Sequence, residues 1–334
     1  MIGMEQTIYK IIYKEDSVMY DVACIGIFVA DCIAKTVDKL PEPGKLGLID
    51  SLNLYTGGCA MNAAVDMKKL GADVALLGMV GNDGFGSFLT GELKKLGFTT
   101  DGIKVSDTDA TSASVVLVDP SGERTFLHCL GSNGKFTDTD VNFDVIADSK
   151  VVFVAGTMLM PDFDGEPCAR VLKKCKEMGK ITVLDSAWDD TGRWMDVLRP
   201  CMPYIDYFIP SIDEARMFAN GLEKVEDIAD YFFDLGVQHV AIKVGKDGCY
   251  VRETKEAEGV TIPTYLGIKP ADTTGAGDSF CSGFLYGLTH GMDMVESARF
   301  ANAVATHCVM AVGASTGIRP YAEIKKFMDE NQPG

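Results

Sequence analysis

The sequence predicts an α/β protein, a mostly parallel sheet with helices on both faces and a small β-rich lid. Two observations carry this. Short apolar runs alternate with helical patterns along the chain, and two stretches near its start, 31–56 and 111–130, break that rhythm. The length of 334 residues suits one large α/β domain with an insertion.

The strand-like runs are Val22–Ile27, Val74–Val80, Val151–Val154, Ile181–Asp185, Tyr207–Ile209 and Val240–Lys243. Helical patterns at Asn62–Leu70, Phe85–Leu96, Cys168–Met178, Val225–Leu235 and Ser279–Leu288 fall between or after most of them. The first interruption contains Pro41, Pro43 and Gly44. In the second, Ser114–Asp119 and Arg124–Cys129 flank Pro120-Ser121-Gly122-Glu123, which reads as a β-hairpin. The expected organisation is one domain over 20–334, lid segments at about 32–56 and 110–131, and an N-terminal extension over 1–19.

Charge narrows the partners. Lys plus Arg is 31 and Asp plus Glu is 48, a net −17. A chain this acidic is a poor binder of nucleic-acid backbones. Any phosphate it handles must be held by local positive potential, such as a helix N-terminus or a metal ion. The ten cysteines form no CxxC pair, and the four histidines lack metal-ligand spacing. They read as reduced thiols of a cytoplasmic protein, without a zinc site. The N-terminus carries Glu5, Lys10, Lys14 and Glu15 and lacks a signal-peptide core. The apolar runs near 151–160 and 298–314 are short or broken by Arg299, Asn302 and His307, so no membrane span is expected.

The sharpest segment is Asp272-Thr273-Thr274-Gly275-Ala276-Gly277-Asp278, which leads into an apolar helix. Gly275, Ala276 and Gly277 leave backbone N–H groups bare at a helix N-terminus, an anion site that needs no basic side chain. Asp278 opens the helix. The helix end is expected to lower its pKa, so that it is ionised and can accept a proton from a hydroxyl. As a plain structural residue it would be a first-turn carboxylate.

This segment resembles the C-terminal signature of the ribokinase-like (PfkB) carbohydrate kinases. Gly57-Gly58-Cys59-Ala60-Met61-Asn62-Ala63-Ala64, followed by Leu70-Gly71, is similar to their N-terminal signature. Val80-Gly81-Asn82-Asp83-Gly84-Phe85-Gly86 is similar to the next family turn, and its glycine spacing is wrong for a dinucleotide fingerprint. The ordered motifs run from about residue 22 to 320. The resemblance implies a ribokinase-like three-layer α/β/α fold. It implies an ATP-dependent kinase that phosphorylates a hydroxyl of a small carbohydrate, with Asp278 as general base and the Gly275–Gly277 turn stabilising the transferred phosphate.

It also implies roles elsewhere. Asp31, Gly57, Gly58 and Asn62 match the sugar-binding positions. A carboxylate there can accept from two adjacent hydroxyls, and a side chain of glycine's size lets a ring lie on the backbone. Pro210-Ser211-Ile212-Asp213-Glu214 is similar to the Asn-x-x-Glu motif that organises Mg²⁺ and phosphates through water; Glu214 matches and Ser211 replaces the Asn. Ser211 and Glu214 also form a capping-box pattern. Lys243 and Gly245, in Lys243-Val244-Gly245-Lys246-Asp247-Gly248, match a turn beside the nucleotide phosphates, and the same residues read as a plain hairpin turn. Asn302 matches a residue near the adenine. Asp272, Thr274, Ala311 and Gly313 fall where many family members hold K⁺ or another monovalent cation. Relatives often dimerise through the lid, which implies a homodimer.

Other side chains read more plainly. Arg124 is expected to be a solvated hairpin charge, and Trp188 and Trp194 to be packing. His128 and Cys129 end the hairpin where they could line the sugar pocket. After Asp185-Ser186-Ala187-Trp188 the Arg of ketodeoxygluconate kinases is absent, which lowers that reading. The alternatives are a nucleoside kinase of the same fold and a non-catalytic sugar- or nucleotide-binding regulator. A Rossmann dehydrogenase is disfavoured, because no correctly spaced Gly-x-Gly-x-x-Gly follows the first strand.

Overall fold

A computed structural model describes residues 19–334. The expected N-terminal extension lies outside the described residues apart from Met19. The chain begins with β1 (Tyr20–Gly26), β2 (Val29–Lys35), β3 (Ser51–Gly57), α1 (Cys59–Leu70), β4 (Val74–Gly81), α2 (Gly84–Lys95) and β5 (Ile103–Ser106). The hairpin β6 (Ala113–Val118) and β7 (Arg124–Cys129) follows, then α3 (Phe143–Ala147), β8 (Ser149–Thr157), α4 (Glu166–Glu177) and β9 (Ile181–Ser186). Next come α5 (Trp194–Leu198), β10 (Tyr207–Phe208), α6 (Ile212–Phe218), α7 (Val225–Asp234) and β11 (His239–Lys243). The chain closes with β12 (Cys249–Arg252), β13 (Val260–Ile262), α8 (Ala276–Thr289), α9 (Met294–Val309) and α10 (Tyr321–Glu330).

The large sheet has nine strands in the order β13-β12-β11-β10-β9-β8-β1-β4-β5. It is parallel from β5 to β11, and β12 and β13 are antiparallel at its edge. Period-two alternation sorts its residues into two cores. Val22 and Cys24 of β1 pack with Val74, Leu76, Val151 and Phe153 on one face, against α1, α8 and α9. Ala23 and Ile25 pack with Ala75, Leu77, Val152 and Val154 on the other, against α4 and α7. The chain leaves β1 for β4 on one side and returns to β8 on the other. Sheets of this kind bind ligands outside the strand C-termini at such a reversal.

The smaller sheet runs β3-β2-β6-β7. β2 pairs antiparallel with β3 but parallel with β6, and β6 and β7 form the expected hairpin. β2 is a strand that the sequence pattern did not reveal. Its residues, Val-Ala-Asp-Cys-Ile-Ala-Lys, lack polar/apolar alternation, and its pairing partners lie far along the chain. α9 was also hidden in the apolar run 298–314; Asp293 and Glu296 cap its start reciprocally. Among the described residues no helix is long and apolar enough to cross a membrane.

Candidate active site

The site forms where α8 begins. Gly275 sits at φ 78°, and a Cβ there would lie 2.6 Å from Ala314, so the left-handed turn before α8 requires glycine. The turn delivers Asp278 into the first helical turn, where its Oδ2 accepts from Asn62 Nδ2 at 2.8 Å. Asn62 lies in the first turns of α1, so the two signature segments meet here.

Burial raises the Asp278 pKa; the Asn62 bond and the nearby Lys243 charge only partly offset it. This corrects the expectation that the helix end lowers it. Removing the carboxylate from water outweighs the favourable contacts made at this helix start. A raised pKa keeps a carboxylate more basic, which suits proton acceptance.

Lys243 ends β11 and donates from Nζ to both oxygens of Asp185, at 2.7 Å each. Asp185 is one residue from the end of β9, so two apolar strands deliver opposite charges to the same C-terminal end of the sheet. Burial alone would lower the Lys243 pKa, but the negative charges of Asp185 and Glu214 reverse this and raise it well above the usual lysine range. A Cβ on Gly277 would lie 3.6 Å from Lys243 Nζ, which places the ammonium beside the α8 turn. The Cys281 thiol donates to Asp185 at 3.3 Å. Asp185 was read only as a strand end. The signal that could have found it is an Asp closing one apolar strand and a Lys closing another.

Glu214 completes the capping box expected of it. Its Oε2 accepts from the Ser211 backbone N–H at 2.9 Å, while Ser211 Oγ accepts from the Glu214 N–H at 3.4 Å, completing a capping box. Ser186 Oγ also donates to Oε2, at 3.2 Å. Gly245 opens the tight turn of the β11–β12 hairpin. Among the described residues no three acidic, His or Cys side chains converge as a metal cage. Mg²⁺ would fit here only through water and phosphate oxygens, its usual mode.

The small sheet supplies a polar row. Asp31 is in register with Tyr55 on β3 and Ser114 on β6, and Ser114 with His128 on β7. Ser114 Oγ and His128 Nδ1 are 3.1 Å apart. Burial raises the Asp31 pKa, with Ser114 and Arg124 opposing. A Cβ on Gly57 would fall 2.1 Å from Asp31 Oδ2, so only glycine lets the carboxylate lie against the turn into α1. Gly58, at φ 99°, precedes the first turn of α1.

Arg124 is not a solvated hairpin charge: Nη2 reaches Asp272 Oδ2 at 2.5 Å and Nη1 donates to Thr274 Oγ1, across the gap between the small sheet and the α8 turn. Asn302 is buried and donates to the carbonyls of Ile262 and Pro263, tying α9 to β13. Ala311 N donates to Cys308 O in the turn after α9, and Gly313 N to Asp272 Oδ2 at 2.8 Å. Trp194 is buried edge-to-face against Trp188 and Phe218, and Trp188 is half exposed.

A mostly parallel sheet with a buried carboxylate at a glycine-rich helix start, an ammonium beside it and a small sheet alongside fits a phosphotransferase that acts on an alcohol acceptor, the class to which the family comparison assigns the chain. The family comparison is specific: the sequence model of the pfkB family carbohydrate kinase matches residues 19–320, and the chain belongs to this family. It is similar to the ribokinase of Bacillus subtilis, 28% identical over 93% of this chain and 100% of that one. The ATP-dependent 6-phosphofructokinase of Thermoanaerobacterium thermosaccharolyticum is also 28% identical, over 96% of this chain and 97% of its own. The Arabidopsis thaliana ribokinase solved with ribose and ATP superimposes with TM-score 0.81 at 24% identity, covering 92% of this chain and 98% of that one.

Proposed function

We propose that this carbohydrate kinase transfers the γ-phosphoryl group of ATP to a hydroxyl of a small sugar, with Asp278 as general base. The observation that carries this reading is the placement of Asp278. Its carboxylate is buried, bonded to Asn62 and directly preceded by the Gly275–Gly277 turn. A sugar hydroxyl set against Asp278 would give up its proton to the carboxylate as the oxygen attacks. The Gly275, Ala276 and Gly277 amides and the Lys243 ammonium would face the charge on the transferred phosphoryl oxygens. Asp185 holds Lys243 in place. Mg²⁺, when bound, would neutralise phosphate charge, with Glu214 holding its water shell and Ser211 and Gly245 shaping the loops beside it.

Asp31, with Gly57, Gly58 and Asn62, would hold the sugar hydroxyls, and the small sheet would exclude water from the reacting centre. Asn302 would shape the adenine side by holding β13 against α9. The names of the two similar enzymes, a ribokinase and a 6-phosphofructokinase, favour a sugar over a nucleoside. The exposed apolar residues Val115, Leu127 and Leu52 of the small sheet support a homodimer formed through that sheet. The test is ATP consumption over a panel of pentoses, hexoses, sugar phosphates and nucleosides. Strong turnover on one sugar or sugar phosphate supports the reading. Turnover on nucleosides alone overturns it.

A further inference from the structure

The carboxylate of Asp272 is nearly enclosed, 5% exposed, and it is already fully engaged. Oδ1 accepts from the Thr274 N–H at 3.0 Å, and Oδ2 accepts from the Gly313 N–H at 2.8 Å and from Arg124 Nη2 at 2.5 Å. The second guanidinium nitrogen donates to Thr274 Oγ1. A carboxylate neutralised by a guanidinium and bonded to two amides offers a free cation little charge and few lone pairs. The side chains of Asp272 and Thr274 therefore do not fit the monovalent-cation site that the family resemblance implies.

We propose that Arg124 is a positioning residue that supplies the fixed positive charge at the Asp272–Thr274 turn, and that the enzyme thereby works without a monovalent cation. Arg124 opens β7 and pairs with Val118, so its guanidinium moves with the small sheet. Thr274 directly precedes Gly275. The contact therefore ties the position of the small sheet to the order of the amide turn: with the sheet in place the turn is fixed, and with the sheet away Asp272 loses its counter-charge. Arginine suits this because its planar fork meets two acceptors at once and stays charged. The inference rests on reading Gly275–Gly277 as the anion-binding turn.

The test compares wild type, Arg124→Gln and Arg124→Lys in potassium, sodium and tetramethylammonium chloride at equal ionic strength. It reads kcat, both KM values and melting temperature. Wild type is expected to show the same kcat and melting temperature in all three salts. In Arg124→Gln, kcat should fall by about tenfold or more with KM for sugar little changed. Potassium, but not tetramethylammonium, should then restore part of it saturably and raise that variant's melting temperature. Arg124→Lys should keep more activity than Arg124→Gln and respond less to potassium. Saturable potassium activation or thermal stabilisation of wild type overturns the proposal, as does a folded Arg124→Gln protein with no potassium response. The melting arm needs no turnover, so a failure to find the sugar does not disturb it.

Discussion

Asn62 donates a 2.8 Å hydrogen bond to the carboxylate of Asp278, joining residues 216 positions apart at the start of two helices. The bond favours the ionised carboxylate in a site whose burial favours the neutral form. Two effects of opposite sign thus set when Asp278 can accept a proton. Burial dominates, so the acid limb of the kcat profile is expected above the ordinary Asp range. Asn62→Ala removes the opposing bond and should move that limb to still higher pH. A pH series of kcat for both proteins checks this; an acid limb that moves down, or stays fixed, contradicts it.

The Lys243–Asp185 pair makes a stability prediction. Both side chains are mostly withdrawn from solvent, 12% and 4% exposed. Lys243→Met leaves the Asp185 carboxylate buried without its partner, and stability should drop by roughly 3–5 kcal/mol. Replacing both members, as Lys243→Met with Asp185→Leu, should recover much of that loss while activity stays low. Urea unfolding of the single and double variants measures it.

Gly57 and Asp31 should act together on the sugar. Gly57→Ala puts a methyl group where Asp31 Oδ2 now lies, so the carboxylate must move. Gly57→Ala and Asp31→Ala should both raise KM for sugar by about tenfold or more, and KM for ATP far less. Equal effects on the two substrates place Asp31 outside the sugar pocket.

Asp66 lies behind the site on α1. Its Oδ2 accepts from Ser279 Oγ at 2.5 Å, and its buried Oδ1 has no partner. Burial raises its pKa from 3.8 to about 7, against the Ser279 and Ser315 contacts. The folded protein therefore holds a proton that the unfolded chain has released between those values. Its stabilising effect is complete below pH 3.8 and is lost as pH rises through about 7. Asp66→Asn should flatten the fall in urea midpoint between pH 5 and pH 8. An equal fall in both proteins contradicts the assignment.

The α/β alternation, the hairpin and the Asp272–Asp278 turn were legible because each is written in a short window: a period of two, a period of 3.6, or a local run of glycines. Asn62 and Asp278 could be paired only through motif resemblance, since nothing local links α1 to α8. Arg124 was misread, and the Asp185 partnership was missed, for the same reason. Their partners stand 148 and 58 residues away, and each looks ordinary among its sequence neighbours. The Asp278 pKa ran opposite to expectation because burial is a property of the assembled site, while the helix end is visible in sequence. β2 escaped because its pairing with β6 is long-range and its residues carry no alternating pattern.

The most direct measurement is kcat of Asp278→Asn on the sugar that wild type phosphorylates fastest, with calorimetric binding of sugar and nucleotide alongside. Asn keeps the size and loses the basicity. If Asp278 accepts the hydroxyl proton, kcat falls by about 10²–10⁴-fold while both ligands still bind. Near-normal turnover by a folded Asp278→Asn protein would show that another group, or none, takes the proton.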